Sequence, residues 1–224
     1  MATTRSPTLS LRASGPLAVF TQPAFKAERV TYPVITPSAA RGLLEAVLWK
    51  PAIRWRLRRI EVLKPIAFMA VRRNEVNSKA RTPSHELVES GGDFHSYFAE
   101  EDRAQRNTIA LRDVDYIIHA DFELTEHAGP VETVTKFVEM FERRVVRGQH
   151  FHQPYLGCRE FPADVRPASG ASSAIDDTRD LGIMLWDIDY GPSRRARFFR
   201  ARLQRGVLHV PDDPEATLAP EVAA

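Results

Sequence analysis

A chain of 224 residues with 43% hydrophobic content can build one large domain or two small ones around a packed core, which excludes a disordered or fibrous protein. Lys and Arg number 31 against 29 Asp and Glu, so the net charge of +2 announces no nucleic-acid surface and any such surface has to come from local clustering. The single Cys158 excludes an internal disulfide and fits a reducing cytoplasm, and no apolar run reaches the roughly 18 residues needed for a membrane span.

Residues Pro7 to Phe20 carry Leu9, Leu11, Leu17, Val19 and Phe20 around Gly15-Pro16, which predicts a first strand broken by a bulge or turn. A helix follows, with Thr36 as N-cap, Pro37 at its first position, Ala40, Leu43, Leu44 and Val47 on one apolar face, and Lys50-Pro51 as its stop. Then Ile53, Trp55 and Leu57 alternate with Arg54, Arg56 and Arg58, a strand with one core face and one basic face. The parity flips to Ile60 and Val62, as one bulged residue would produce.

Pro65 ends that strand and IAFMAVRRNEV is read as another. Residues 74–107 are polar and aperiodic, which suggests a long insertion with a short helix around EEDRAQR. In NTIALRDVDYIIHADFEL, Val114, Tyr116, Ile118, Ala120, Phe122 and Leu124 line one face of a strand, while Asp113, Asp115, His119, Asp121 and Glu123 line the other. Gly129-Pro130 opens a second helix whose Val134, Phe137, Val138, Phe141 and Val145 share one side before Gly148, and HQPYLGCREF is expected as the next strand.

This order, βαββαβ, predicts an α+β fold of the ferredoxin-like kind that RNA-recognition domains also use. It occupies residues 1–166 with the insertion at about 74–107. Residues 167–210 are expected to form a small C-terminal antiparallel β meander, with Gly191-Pro192-Ser193 and Arg205-Gly206 at its turns. Residues 211–224, rich in Pro, Ala and acid, read as a disordered tail.

Six basic residues and one acid lie between Lys50 and Lys64, and six arginines and no acid between Arg194 and Arg205. Such stripes serve either as solvated faces or as phosphate-binding rows, and the arginine bias favours phosphate because the guanidinium fork binds it bidentately. Nearby Trp49, Trp55, Phe198 and Phe199 suit base stacking or the core, and Trp55 and Phe199 fall on apolar faces. His119 shares a face with Asp121, a position for a solvated histidine or for a proton donor and acceptor in RNA cleavage. His150, His152 and Cys158 lack a fourth ligand at zinc spacing, and no Walker, GxGxxG, GxSxG or HExxH motif occurs.

The segments ERVTYPVITPSAARGLLEAVLWKPAIRW, VLKPI, VRRNEV, EEDRAQRNTIALRDVDY and FHQPYLGCREFP, in this order, resemble the type I-C CRISPR-associated proteins of family five, Dvulg subtype, within the RAMP superfamily. The likeness covers about Leu9 to Pro162. It implies binding of CRISPR repeat RNA and metal-independent, cofactor-free cutting of the precursor transcript by the 2′-hydroxyl beside the scissile bond. It also implies retention on the 5′ handle of the crRNA beside the backbone and large subunits of a Cascade surveillance complex, and it leaves direct contact with target double-stranded DNA open.

Carried onto this chain, the resemblance places Arg72, Arg73, Arg103 and Arg106 at the RNA or its supporting shell, and Lys26, Arg29 and Arg41 beside the first helix. Arg54 and Arg56 join them from the basic strand, with His119 as a candidate acid or base and Lys50 as a phosphate stabiliser. The family pattern has a tyrosine before Trp-Lys-Pro and a later Lys/His pair. Here Leu48 replaces the tyrosine, and His119 and Asp121 stand near the pair, which opens the alternative of a handle-binding subunit that no longer cuts. Tyr32 and Tyr116 are replacements by residue type.

Overall fold

A computed structural model describes residues 4–25, 27–79, 82–92, 98–168, 173–189 and 194–218. In chain order these give β1 (Leu9–Ala18), β2 (Arg29–Val30), α1 (Pro37–Val47), β3 (Ile53–Val62), β4 (Phe68–Val76) and α2 (His85–Glu89). A 3₁₀ turn (Ala99–Asp102) leads into β5 (Arg103–Leu124), followed by α3 (Val134–Val146), β6 (Asp164–Pro167), β7 (Arg179–Ile188), β8 (Ala196–Gln204), β9 (Val207–His209) and a second 3₁₀ turn (Glu215–Leu218). This is a mixed α/β architecture dominated by one large, mostly antiparallel sheet.

The sheet runs β6-β1-β5-β3-β9-β8-β7, with β2 and β4 also paired to β5. Strand β5 does double duty. Its C-terminal half pairs with β1 and β3, whereas its N-terminal half pairs with β4 and, in parallel, with β2. The change of partner falls at Asp113, whose φ of 52° is a left-handed conformation that bends the strand between the sheet and the β4–β5 arm. Gly15 faces the same bend, where a Cβ would meet Leu156 Cδ1 at 2.6 Å and the Pro162 carbonyl at 3.1 Å, so Leu156 would have to shift to admit one.

Helix α1 forms where its caps direct. Thr36 Oγ1 accepts from the Ala39 N–H at 3.2 Å, Pro37 occupies the first turn, and Ala40, Leu43, Leu44 and Val47 are buried. It packs against β3 and β7. Helix α3 begins at Val134 with Thr133 as N-cap, later than Gly129-Pro130 suggests, and buries Phe137 and Phe141. These rings meet Trp55 and Phe122 at centroid distances of 5.0 to 6.2 Å, an edge-to-face aromatic cluster at the centre of the core.

Four expectations are revised. HQPYLGCREF is a tight loop closed by a Tyr155–Pro162 bridge, because Pro154, Gly157 and Pro162 cannot sustain a ladder; the strand that pairs with β1 is β6. The 74–107 segment is shorter as a loop than its polarity suggests: β4 runs to Val76, β5 starts at Arg103, and EEDRAQR is a 3₁₀ turn entering a strand. The arm shows no apolar period because ion pairs hold it. The meander forms as expected, but β9 pairs with β3, so it continues the main sheet. Residues 211–218 pack back onto β8 and β3 through Thr217 and Asp212, while 219–224 lie outside the described residues, as do Lys26, Tyr190 and the turn Gly191-Pro192-Ser193.

Candidate nucleic-acid interface

The basic stripe of β3 does not stand alone. Register places Arg54 opposite Glu123 and Arg56 opposite Asp121, so the acidic face of β5 lies directly beside it. Asp121, nearly buried, accepts four hydrogen bonds: from Arg5 Nε and Nη2 at 3.0 and 2.8 Å, and from Arg58 Nε and Nη2 at 2.5 and 3.1 Å. Arg56 reaches Glu123 at 3.2 Å and Arg54 only at 3.7 Å. Arg54 is the freer cation, with a side chain 72% exposed. Asp115 is likewise gripped by Arg12 at 3.0 and 2.7 Å.

His119 stands on this outer face between Glu61, 2.7 Å from Nε2, and Ser10, 3.3 Å from Nδ1. The carboxylate can only accept, so Nε2 carries the proton and the Ser10 hydroxyl donates to Nδ1. Burial, and then Arg59, push the imidazole below its ordinary value despite the pull of Glu61. His119 is therefore a neutral imidazole at pH 7, a base by charge state, with a side chain 13% exposed.

Leu48 is fully buried at the end of α1, and its carbonyl accepts the Trp55 indole N–H at 2.9 Å. Neither tyrosine compensates for it. Tyr32 is buried, with the Leu185 N–H donating to its oxygen at 3.2 Å, and Tyr116 is buried with its hydroxyl bonded to the Ile35 backbone. Burial raises both phenols above their ordinary range.

Four of the expected cations converge elsewhere. Lys50, Arg41, Arg54 and Arg56 line one open groove of about 900 Å³ with Trp49, His127, Trp186 and Arg197. Trp49 is 58% exposed, and the Arg197 guanidinium lies over the Trp186 ring at 5.0 Å. Arg41 is the least available: burial opposes its charge, but Asp187 at 2.7 and 3.1 Å and Glu45 at 2.7 Å raise its pKa further. Exposed Lys50 and Arg54 are the groove's open cations. His119 is not among its lining residues, and it lies far from Lys50: Lys50 precedes Ile53, whose partner Leu124 is five residues along β5 from His119, roughly 17 Å at 3.4 Å per residue. The structure does not bring His119 and Lys50 to one point.

Toward the far end of the β4–β5 ladder, Arg29, Arg73 and Arg106 surround Glu75 at 3.9, 2.5 and 3.3 Å, and Arg73 also reaches Glu160 at 2.9 Å. These arginines hold the β4–β5 ladder to the body. Arg72 is exposed with its side chain on the opposite face, and Arg103 is 59% exposed, 3.6 Å from Glu100. Arg29 Nη1 also donates to Cys158 Sγ at 3.1 Å, and among the described residues no His, Cys, Asp and Glu group fit for a metal occurs.

The alternation in residues 184–188 displays Trp186, but nothing local shows that Arg197 stacks on it or that Asp212, from a segment read as tail, bonds Arg56 and Arg58 at 2.9 and 2.8 Å. His127 belongs to a short connection with no periodic signal.

A family model described as CRISPR-associated protein (Cas_Cas5) matches residues 8–211. The chain is 46% identical over 214 residues to the CRISPR pre-crRNA endoribonuclease Cas5d of Mannheimia succiniciproducens, covering 91% of this chain and 94% of that one. It is 40% identical over 222 residues to the CRISPR pre-crRNA endoribonuclease Cas5d of Thermus thermophilus, covering 91% of each. A crystal structure of a CRISPR-associated protein matches in fold, with a TM-score of 0.68 at 22% identity over 95% of each chain. On this family match and these identities, the chain belongs to the Cas5d family of CRISPR-associated proteins.

Proposed function

We propose that this protein binds CRISPR repeat RNA, cuts the precursor transcript, and stays on the 5′ handle as a subunit of a surveillance complex. The observation that carries this is 46% identity, over nearly all of both chains, to a relative named as a pre-crRNA endoribonuclease. The groove supports it physically, since exposed Trp49 beside Lys50 and Arg54 combines a stacking surface with phosphate-neutralising charge. Exposed Phe68, Met69 and Val76 on the arm give apolar area for protein neighbours in such a complex.

The fold is ferredoxin-like over residues 1–166, with the arm as its insertion and the 167–210 meander appended. The sheet order β6-β1-β5-β3, with α1 and α3 as the crossovers, supports this arrangement. In the cut, the 2′-oxygen attacks the adjacent phosphorus, its proton passes to a base, and the 5′-oxygen leaves with a proton. Lys50 is the candidate to stabilise the charge on phosphorus, and neutral His119 is a candidate base. Because the two lie far apart, they serve one phosphate only if the RNA-bound chain rearranges. Arg72 and Arg103 on the arm, with Arg54 in the groove, are the candidate handle contacts; Lys26, Arg29, Arg41, Arg56, Arg73 and Arg106 complete the candidate RNA-binding set.

A second reading, a handle-binding subunit without cleavage, is favoured by Leu48 and by the clamped Asp121. Incubating the purified protein with its cognate repeat hairpin in excess chelator separates the two. A single internal cut ending in a cyclic phosphate is expected; salt-sensitive binding with no cut would establish the second reading instead.

A further inference from the structure

Residues 211–218 lie across the two basic rows that the sequence marks for phosphate. Their ends are pinned by backbone contacts: Val210 N–H to the Arg58 carbonyl at 3.0 Å, the Trp186 indole N–H to the Pro211 carbonyl at 3.0 Å, and the Arg200 N–H to Thr217 Oγ1 at 3.0 Å. Between these pins the contacts to the arginine side chains are ionic. Asp212 bridges Arg56 and Arg58, Asp213 lies 3.8 Å from Arg197, and Glu215 lies 3.6 Å from Arg197 and 3.7 Å from Arg195.

The acids themselves are exposed: the side chains of Asp212, Asp213 and Glu215 are 61%, 69% and 53% accessible. Exposed pairs of this kind contribute little to stability, so a phosphate can replace a carboxylate at little cost. Asp212 is held below the usual carboxylate range by the Arg56 hydrogen bond and, against burial, by Arg58, so it is anionic at neutral pH. The segment has Pro214 as its buried apolar anchor and is otherwise polar or partly exposed, so charge, with the three backbone pins, sets its position.

We propose that residues 212–215 are an intrachain phosphate mimic covering a latent row formed by Arg56, Arg58, Arg195 and Arg197, and that the row's ligand is the backbone of single-stranded RNA leaving the groove. Unpaired RNA fits because exposed Trp49 lines the groove beside the row together with Trp186, whose ring lies under Arg197, and a duplex offers no free base to stack on such rings. The segment tunes affinity: RNA has to displace three carboxylates before it gains these arginines. The inference rests on the reading that the groove holds RNA.

The test compares D212N/D213N/E215Q with wild type in binding single-stranded repeat RNA across a salt series. With three carboxylates neutralised and room for about three phosphates in their place, the variant should bind about tenfold tighter at low salt, with a log–log salt slope steeper by about two, from roughly 0.7 per phosphate. A control of equal charge change away from the row, E86Q/E139Q/E142Q, separates unmasking from bulk charge. Adding R195Q and R197Q to the first variant should remove the part of the gain that D212N alone does not give.

Wild-type binding with no gain in the variant, or an equal gain in the control, overturns the mimic and leaves the RNA reading intact. No binding by either form overturns both. A gain seen equally with duplex DNA overturns the assignment to unpaired RNA. Coincident thermal melts of variant and wild type verify folding, and D212N alone, expected to show a smaller gain of the same sign, stands in if the triple variant melts early.

Discussion

His119 is held at both ring nitrogens by Glu61 and Ser10, in a site where burial disfavours the charged ring. Its folded pKa is lowered, so near and below about 6.5 the unfolded chain binds a proton that the native chain does not. Stability from this residue is complete above that value and is lost as pH falls through the folded pKa. His119→Gln should therefore lose less stability than wild type between pH 7.5 and 5.5, read as the shift in urea midpoint; equal shifts would place the acid sensitivity elsewhere. Leu48 has no accessible surface, so Leu48→Tyr should cost about 1–3 kcal/mol by overpacking, measured by urea unfolding. A variant as stable as wild type would show that the core there has room for the ring.

The pairing of β3 with β5 turns two charged strand faces into one ion-paired surface. Asp121 is its hinge: removing this nearly buried carboxylate leaves Arg5 and Arg58 facing each other. Asp121→Ala should cost about 3 kcal/mol, the low end for a broken buried pair because Arg5 is half exposed. Chemical denaturation checks this, and a loss under 1 kcal/mol would show the ladder to be solvated. The alternation that made Arg54, Arg56 and Arg58 a basic face was legible in the sequence, as was the bulge between Leu57 and Arg59. Their acidic partners were not, because register between distant strands is set by the whole sheet and by no local pattern.

At the scale of the molecule, β9 joins the meander to the main sheet, so the unit is expected to unfold as one. Leu208, fully buried in β9, should cost about 2–5 kcal/mol on truncation to Ala, with circular dichroism and tryptophan fluorescence still tracing one transition. Two separated transitions would show that the meander folds independently. Continuity also brings Trp186 and Arg197 into the groove that Trp49 and Lys50 line.

Local chemistry was enough to determine α1 with its Thr36 cap, the alternating strands, the aromatic side of α3 and the family resemblance, because each depends on neighbours within a few residues. Only the tertiary structure decided which arginines remain available. The free energy of a charge depends on what lies within a few ångströms of it, and here those partners arrive from other strands and from a segment whose composition reads as a tail.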